Sequence, residues 1–174
     1  ISGSTINKEQ FSSSLSRIDR LILTAFEKEL FQDITPDYAG RIAKASLSAL
    51  NHLIESKVWE KFTASEIDSY SAMLFDTVSD LSRLMDLTRT NLNENEEVPL
   101  PYKSIVMKTA KFTMTSGVNF KFDGEFSIKI PFEALDGLSE GQTITSTATL
   151  IRGISKYLSF DGVDEEFNSP ILNV

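Results

Sequence analysis

The sequence predicts an α+β protein, with an N-terminal helical subdomain over residues 1–95 followed by an antiparallel β-sandwich subdomain over residues 96–174. Three observations carry that prediction. Apolar residues recur every three or four positions up to about residue 87, then every second position from about residue 105. The tetrad Thr63-Ala64-Ser65-Glu66 has the pattern of a capping box, which opens a helix. Pro99 and Pro101 fall where the period changes, and proline forbids helix continuation there.

Phe11, Leu15, Ile18, Ile22, Ala25 and Phe26 form one apolar stripe, so Lys8 to about Leu30 is predicted as an amphipathic helix. Asp33 to Asp37 makes a turn. Thr35 suits the N-cap of a second helix, Pro36 its first position and Asp37 its positive end. That helix runs to about Glu55, with Tyr38, Ile42, Leu50 and Leu53 in period and Ala39, Ala43, Ala45 and Ala49 small enough for close helix packing. The capping box then starts a third helix, whose stripe from Ile67 through Leu74, Val78 and Leu81 reaches about Leu87. About 24 residues give it a length of roughly 36 Å.

The run from Asn91 to Glu97 is polar and marks the boundary. Beyond it, Val106, Lys108, Ala110, Phe112 and Met114 alternate with polar positions. Phe120-Lys121-Phe122 runs into Asp123-Gly124, a hairpin-type turn, and Phe126, Ile128 and Ile130 alternate with Ser127 and Lys129 up to Pro131. Ile144, Ala148 and Leu150 mark another strand, with Thr143, Thr145, Thr147 and Thr149 on its other face. Tyr157-Leu158 and Ile171-Leu172 are expected as later edge strands. No internal repeat or low-complexity tract is present.

The 174 residues are 41% hydrophobic and 24% charged, an ordinary globular balance for a chain long enough to bury a core. A net charge of -8 and a pI near 4.7, with lysines and arginines scattered singly, argue against nucleic acid as a partner. The absence of cysteine removes disulfides, thiol catalysis and thiolate metal sites. His52, the single histidine, cannot build a triad or a transition-metal site alone, and a structural or solvent-facing role is expected for it. The acidic groups Glu94, Glu96, Glu97 and Asp164, Glu165, Glu166 lack the alternating spacing of a calcium loop and read as solvated charge runs. Trp59, beside Val58 and Phe62, is expected in the core. No enzyme activity, cofactor or metal is expected.

Three segments, in order, resemble a known family. Phe126-Ser127-Ile128-Lys129-Ile130-Pro131, followed by Leu135, is similar to the strand that enters a P-x-x-x-L segment in GAIN domains of adhesion G-protein-coupled receptors. Thr149 to Ser159 resembles that family's strand, short apolar turn and Leu-Ser segment. Phe167 to Val174 resembles the strand that precedes the receptor proteolysis site. The likeness spans about Ile105 to Val174, and a helical part ahead of a β-sandwich resembles the family layout over the whole chain. Latrophilin-like receptors are the nearest in kind, with polycystin-type membrane proteins as neighbours.

The resemblance implies an extracellular, juxtamembrane regulatory domain at the cell membrane. In that family the β-sandwich cuts its own chain and keeps the severed strand bound, and that strand later acts as a tethered agonist. The implied partner is therefore a downstream C-terminal strand of the same receptor, with protein ligands besides. The chain reads as an excised piece ending ahead of the cleavage segment. His52-Leu53 is followed by Ile54 within a helix and is not that site. The family's cysteines are absent here, and no complete Asn-x-Ser/Thr signal occurs. Those departures keep a second reading open, a soluble structural or adaptor module of an intracellular or bacterial protein without enzymatic activity.

The residues expected to matter are the inward-facing Phe126, Ile128, Ile130, Leu150, Ile171 and Leu172, which would frame a missing strand. Ile128→Asp is expected to abolish folding by burying an unpaired charge.

Overall fold

The structure, a computed structural model, describes residues 6–31, 35–89, 92–93, 97–115, 117–122, 126–135, 137–158 and 171–173. It is an α+β protein whose helical part precedes an antiparallel β part. Helix α1 spans Lys8–Phe31, α2 spans Pro36–Ile54 and α3 spans Ala64–Thr88, with a short 3-10 helix at Lys57–Lys61. The strands are β1 (Glu97–Pro101), β2 (Ile105–Thr113), β3 (Val118–Phe122), β4 (Phe126–Ile130), β5 (Thr143–Ile151) and β6 (Ile171–Asn173). None of the described helices is long and apolar enough to cross a membrane.

The helix starts follow local chemistry. The Thr35 hydroxyl accepts from the Tyr38 amide, and Pro36 takes the first helical position, where no amide donor is needed. At α3 the capping box is complete: the Glu66 amide donates to Thr63 Oγ1 at 3.3 Å, and the Thr63 amide donates to Glu66 Oε2 at 2.7 Å. Lys8 also reaches Glu66 Oε2 at 2.6 Å, tying the start of α1 to the start of α3. Thr63→Ala removes one half of the box and is expected to cost about 1 kcal/mol. A urea midpoint unchanged from the parent chain would show that the cap contributes nothing.

The sheets pack into layers. β1, β2, β5 and β6 form one antiparallel sheet in that order, and β3 and β4 form a two-stranded sheet. One face of the main sheet, with Leu100, Ile105, Met107 and Ile151, closes the core of the three helices. The other face, with Val106, Ala110, Ala148 and Leu150, packs against Val118, Phe120 and Phe122 of β3. β2 is therefore buried on both sides. The order is helices, main sheet, hairpin.

Trp59 lies at the centre of the first core, fully buried as expected. Its indole donates to the Leu53 carbonyl at 2.8 Å, and its ring meets Phe11 edge-on at 5.1 Å and stacks near Tyr157 at 6.0 Å. His52 is exposed on α2, with Nδ1 2.7 Å from the Ser48 carbonyl.

Two elements differ from expectation. β1 occupies the stretch read as a boundary, prolines included. Proline is tolerated in a sheet only where its nitrogen faces away from a neighbour, and β1 is the outermost strand. Pro99 and Pro101 share one orientation, so Val98 and Leu100 carry the donors toward β2. Tyr157-Leu158 is not an edge strand: Ser155–Tyr157 forms a 3-10 turn. Gly153, at φ +83, bends the chain out of β5, and the Tyr157 ring is drawn onto Trp59. The Asp123-Gly124 turn and the clusters Glu94, Glu96 and Asp164 to Glu166 lie outside the described residues. Glu97 is within them, paired with Lys108 at 3.1 Å.

Candidate functional site

β5 is the strand on which a site can be built. Along one side it pairs with β2 for all nine residues, from Thr143 opposite Thr113 to Ile151 opposite Ile105. Along the other it pairs with β6 for only three, Thr149, Leu150 and Ile151. Among the described residues, no strand lies beside Thr143–Ala148 on that side. Each backbone there carries a donor or acceptor that a strand would use. A strand continuing in the β6 register would pass Ala148, then Thr147, and reach Thr143.

The two faces of β5 differ. The residues Ile144, Ser146, Ala148 and Leu150 face the hairpin core, with Leu150 and Ala148 fully buried and Ile144 half-buried. Around Ile144 that core stays incompletely covered, since Phe112, Leu135 and Leu138 are also half-buried there. The threonines of the other face meet α3. Ser82 Oγ lies 3.4 Å from Thr149 Oγ1, Thr147 Oγ1 donates to Asp86 Oδ1 at 2.6 Å, and Thr145 Oγ1 reaches the Arg89 carbonyl at 3.5 Å. As α3 advances by three or four residues, β5 retreats by two. The match is metric: four helical residues rise about 6 Å and two strand residues about 6.7 Å.

The six residues singled out from the sequence fall as follows. Phe126, Ile128 and Ile130 are on β4, opposite Phe122, Phe120 and Val118, and are half-buried against the hairpin core. Leu150 is fully buried in that same core from β5. These four are brought together. Ile171 and Leu172 are the backbone partners of Ile151 and Leu150, and their side chains lie outside the described residues. Ile128 is shallower than expected, because β4 is the outer strand of its hairpin. A carboxylate there keeps access to water, so Ile128→Asp is expected to weaken the fold rather than abolish it.

Sequence reasoning missed the α3–β5 hydroxyl ladder. Its signal was present in four threonines alternating over Thr143–Thr149, a pattern that also describes a solvent-facing strand. A second concave feature, a cleft of about 280 Å³, lies between Glu55, Lys57, Lys103, Ser104 and Lys156. Lys103 pairs with Glu55 at 3.1 Å and Ser104 donates to the same oxygen at 3.0 Å. Partial burial pushes the Glu55 carboxyl up, but these two hydrogen bonds outweigh it and hold the group below the ordinary carboxylate range. Among the described residues, no group of three histidines, aspartates or glutamates is placed to hold a metal ion. No family model matches the chain, and no curated protein matches it.

Proposed function

We propose that the chain is a non-catalytic regulatory module of GAIN type, a juxtamembrane domain on the extracellular side of an adhesion receptor. In this reading its β part holds an extended segment of the same receptor and controls signalling by keeping or releasing it. The observation that supports the reading is the half-paired state of β5 among the described residues. A strand buried in the sheet on one side offers ladder hydrogen bonds on the other, beside an apolar core with half-buried residues at its rim. A guest strand would gain both the backbone ladder and apolar burial, which together retain a segment even without a covalent link. The cysteine-free composition favours a second reading, a soluble adaptor module that uses the same edge for a partner's strand.

The test is hydrogen exchange on β5 in two polypeptides, this chain and the parent protein carrying whatever follows Val174. One alternate set of amides over Thr143–Ala148 is expected to exchange fast in the first and to be protected in the second. Equal, fast exchange in both would overturn the strand-holding reading. Two fragments of the parent on a denaturing gel, from a protein that elutes as one species, would separate the receptor reading from the adaptor.

A further inference from the structure

The contact between α3 and the main sheet contains a half-buried acid. Asp86 Oδ1 accepts from Thr147 Oγ1 at 2.6 Å, and Thr147 Oγ1 lies 2.8 Å from Thr109 Oγ1. Thr147 has one proton and spends it on Asp86, so Thr109 donates to Thr147. The chain of bonds therefore runs from β2 through β5 to the helix. Thr109 and Thr147 are fully buried, and both face the helices rather than the hairpin.

We propose that Asp86, Thr147 and Thr109 form a proton-responsive clamp between α3 and the central strands, whose net contribution to the fold rises as the medium turns mildly acidic.

The geometry leaves the carboxylate poorly compensated. A buried carboxylate is stable when several donors or a cation surround it. Among the described residues, Asp86 has one hydroxyl donor. Burial therefore dominates, and pushes its carboxyl from 3.8 up to about 6 despite the Thr147 bond. The charged groups nearest in position are otherwise engaged or aimed elsewhere. On α3, Arg83 pairs with Asp80 at 3.6 Å and lies over the Phe26 ring, while Arg89 extends to Gly40 of α2. On β2, Lys111 has a partner of its own and is the backbone partner of Thr145. β5 brings threonines and Ile151 to this face, and no charged residue. On α1, Asp19 is 3.4 Å from Thr77 Oγ1, about two and a half helical turns from Asp86. On α2, Arg41 pairs with exposed Asp37.

The sign follows from the direction of the shift. Folding raises the affinity of Asp86 for its proton, so the folded state gains stability wherever the group is protonated. That contribution is complete below about 3.8 and is lost as pH rises through about 6. The clamp grips β5 directly behind the edge that β6 shares, whatever strand lies there.

Urea unfolding of the whole chain and of Asp86→Asn, from about pH 7.5 to about pH 5, tests the proposal. Relative to Asp86→Asn, the folding constant of the parent chain is expected to rise about tenfold over that range. A ratio that stays constant would overturn it. Should Asp86→Asn not fold, carbon NMR of the parent chain decides. A side-chain carboxyl midpoint near 6, with the Thr147 methyl signal moving in step, is the expected result. A midpoint near 4, or a Thr147 signal that ignores the titration, would overturn the clamp.

Discussion

Leu150→Asp is expected to leave no cooperatively folded protein at neutral pH. Leu150 is fully buried near the end of β5, where that strand is paired on both sides, with Val106 as its partner on one side and Leu172 on the other. Its side chain belongs to the hairpin core with Phe120 and Phe122. Removing the leucine alone costs about 2–5 kcal/mol. The carboxylate then adds several kcal/mol of desolvation, and Lys108, the base over Phe122 at the border of that core, is already held by Glu97 and the Lys121 carbonyl. Against a typical total stability of about 5–15 kcal/mol, the sum removes most or all of it. Thermal unfolding followed by circular dichroism checks the result. A sharp transition within a few degrees of the parent chain would mean that Leu150 does not sit where described.

Trp59→Ala is expected to destabilise the chain by about 3–5 kcal/mol, measured as the urea unfolding free energy. The indole joins elements that are distant in sequence. It touches Phe11 of α1, Phe62 after the 3-10 helix and Tyr157 after β5, and its N–H satisfies the Leu53 carbonyl at the end of α2. Truncation opens a cavity among all of these and removes the indole hydrogen bond to the Leu53 carbonyl, which keeps the Ser56 amide at 3.2 Å. Trp59→Phe keeps most of the volume and loses the hydrogen bond. Its cost should be clearly smaller, and equal losses for both substitutions would contradict the cavity account.

Local chemistry made much of the fold legible. The α3 start was readable because all four residues of its capping box are adjacent in sequence. β2, β4 and β5 were readable because alternation is a property of one strand. β1 was not, since its prolines are compatible with a strand only at a sheet border, and border position is a tertiary fact. Tyr157 looked like strand sequence because an aromatic residue favours strands. Its partner, Trp59, lies almost a hundred residues earlier. Within the candidate site, alternation told which side Phe126, Ile128 and Ile130 face, but not how deep they lie. Depth depends on what covers β4, which no local pattern records. The uneven pairing of β5 among the described residues was likewise illegible, because it depends on the difference between two long-range pairings. Asp86 reads as a polar position on an amphipathic helix. Only the packing of β5 against α3, with Thr147 at its carboxyl, makes it a half-buried acid.

The two prolines of β1 also decide how copies of this chain can associate. Endless stacking of sheets side by side requires two adhesive borders per molecule, so that each newcomer presents a fresh one. With Pro99 and Pro101 turned outward, the β1 border has lost two of the amide donors that a newcomer would need. Association through the main sheet is then self-limiting. Two copies meeting through the opposite border exhaust it, giving a closed pair in place of a filament.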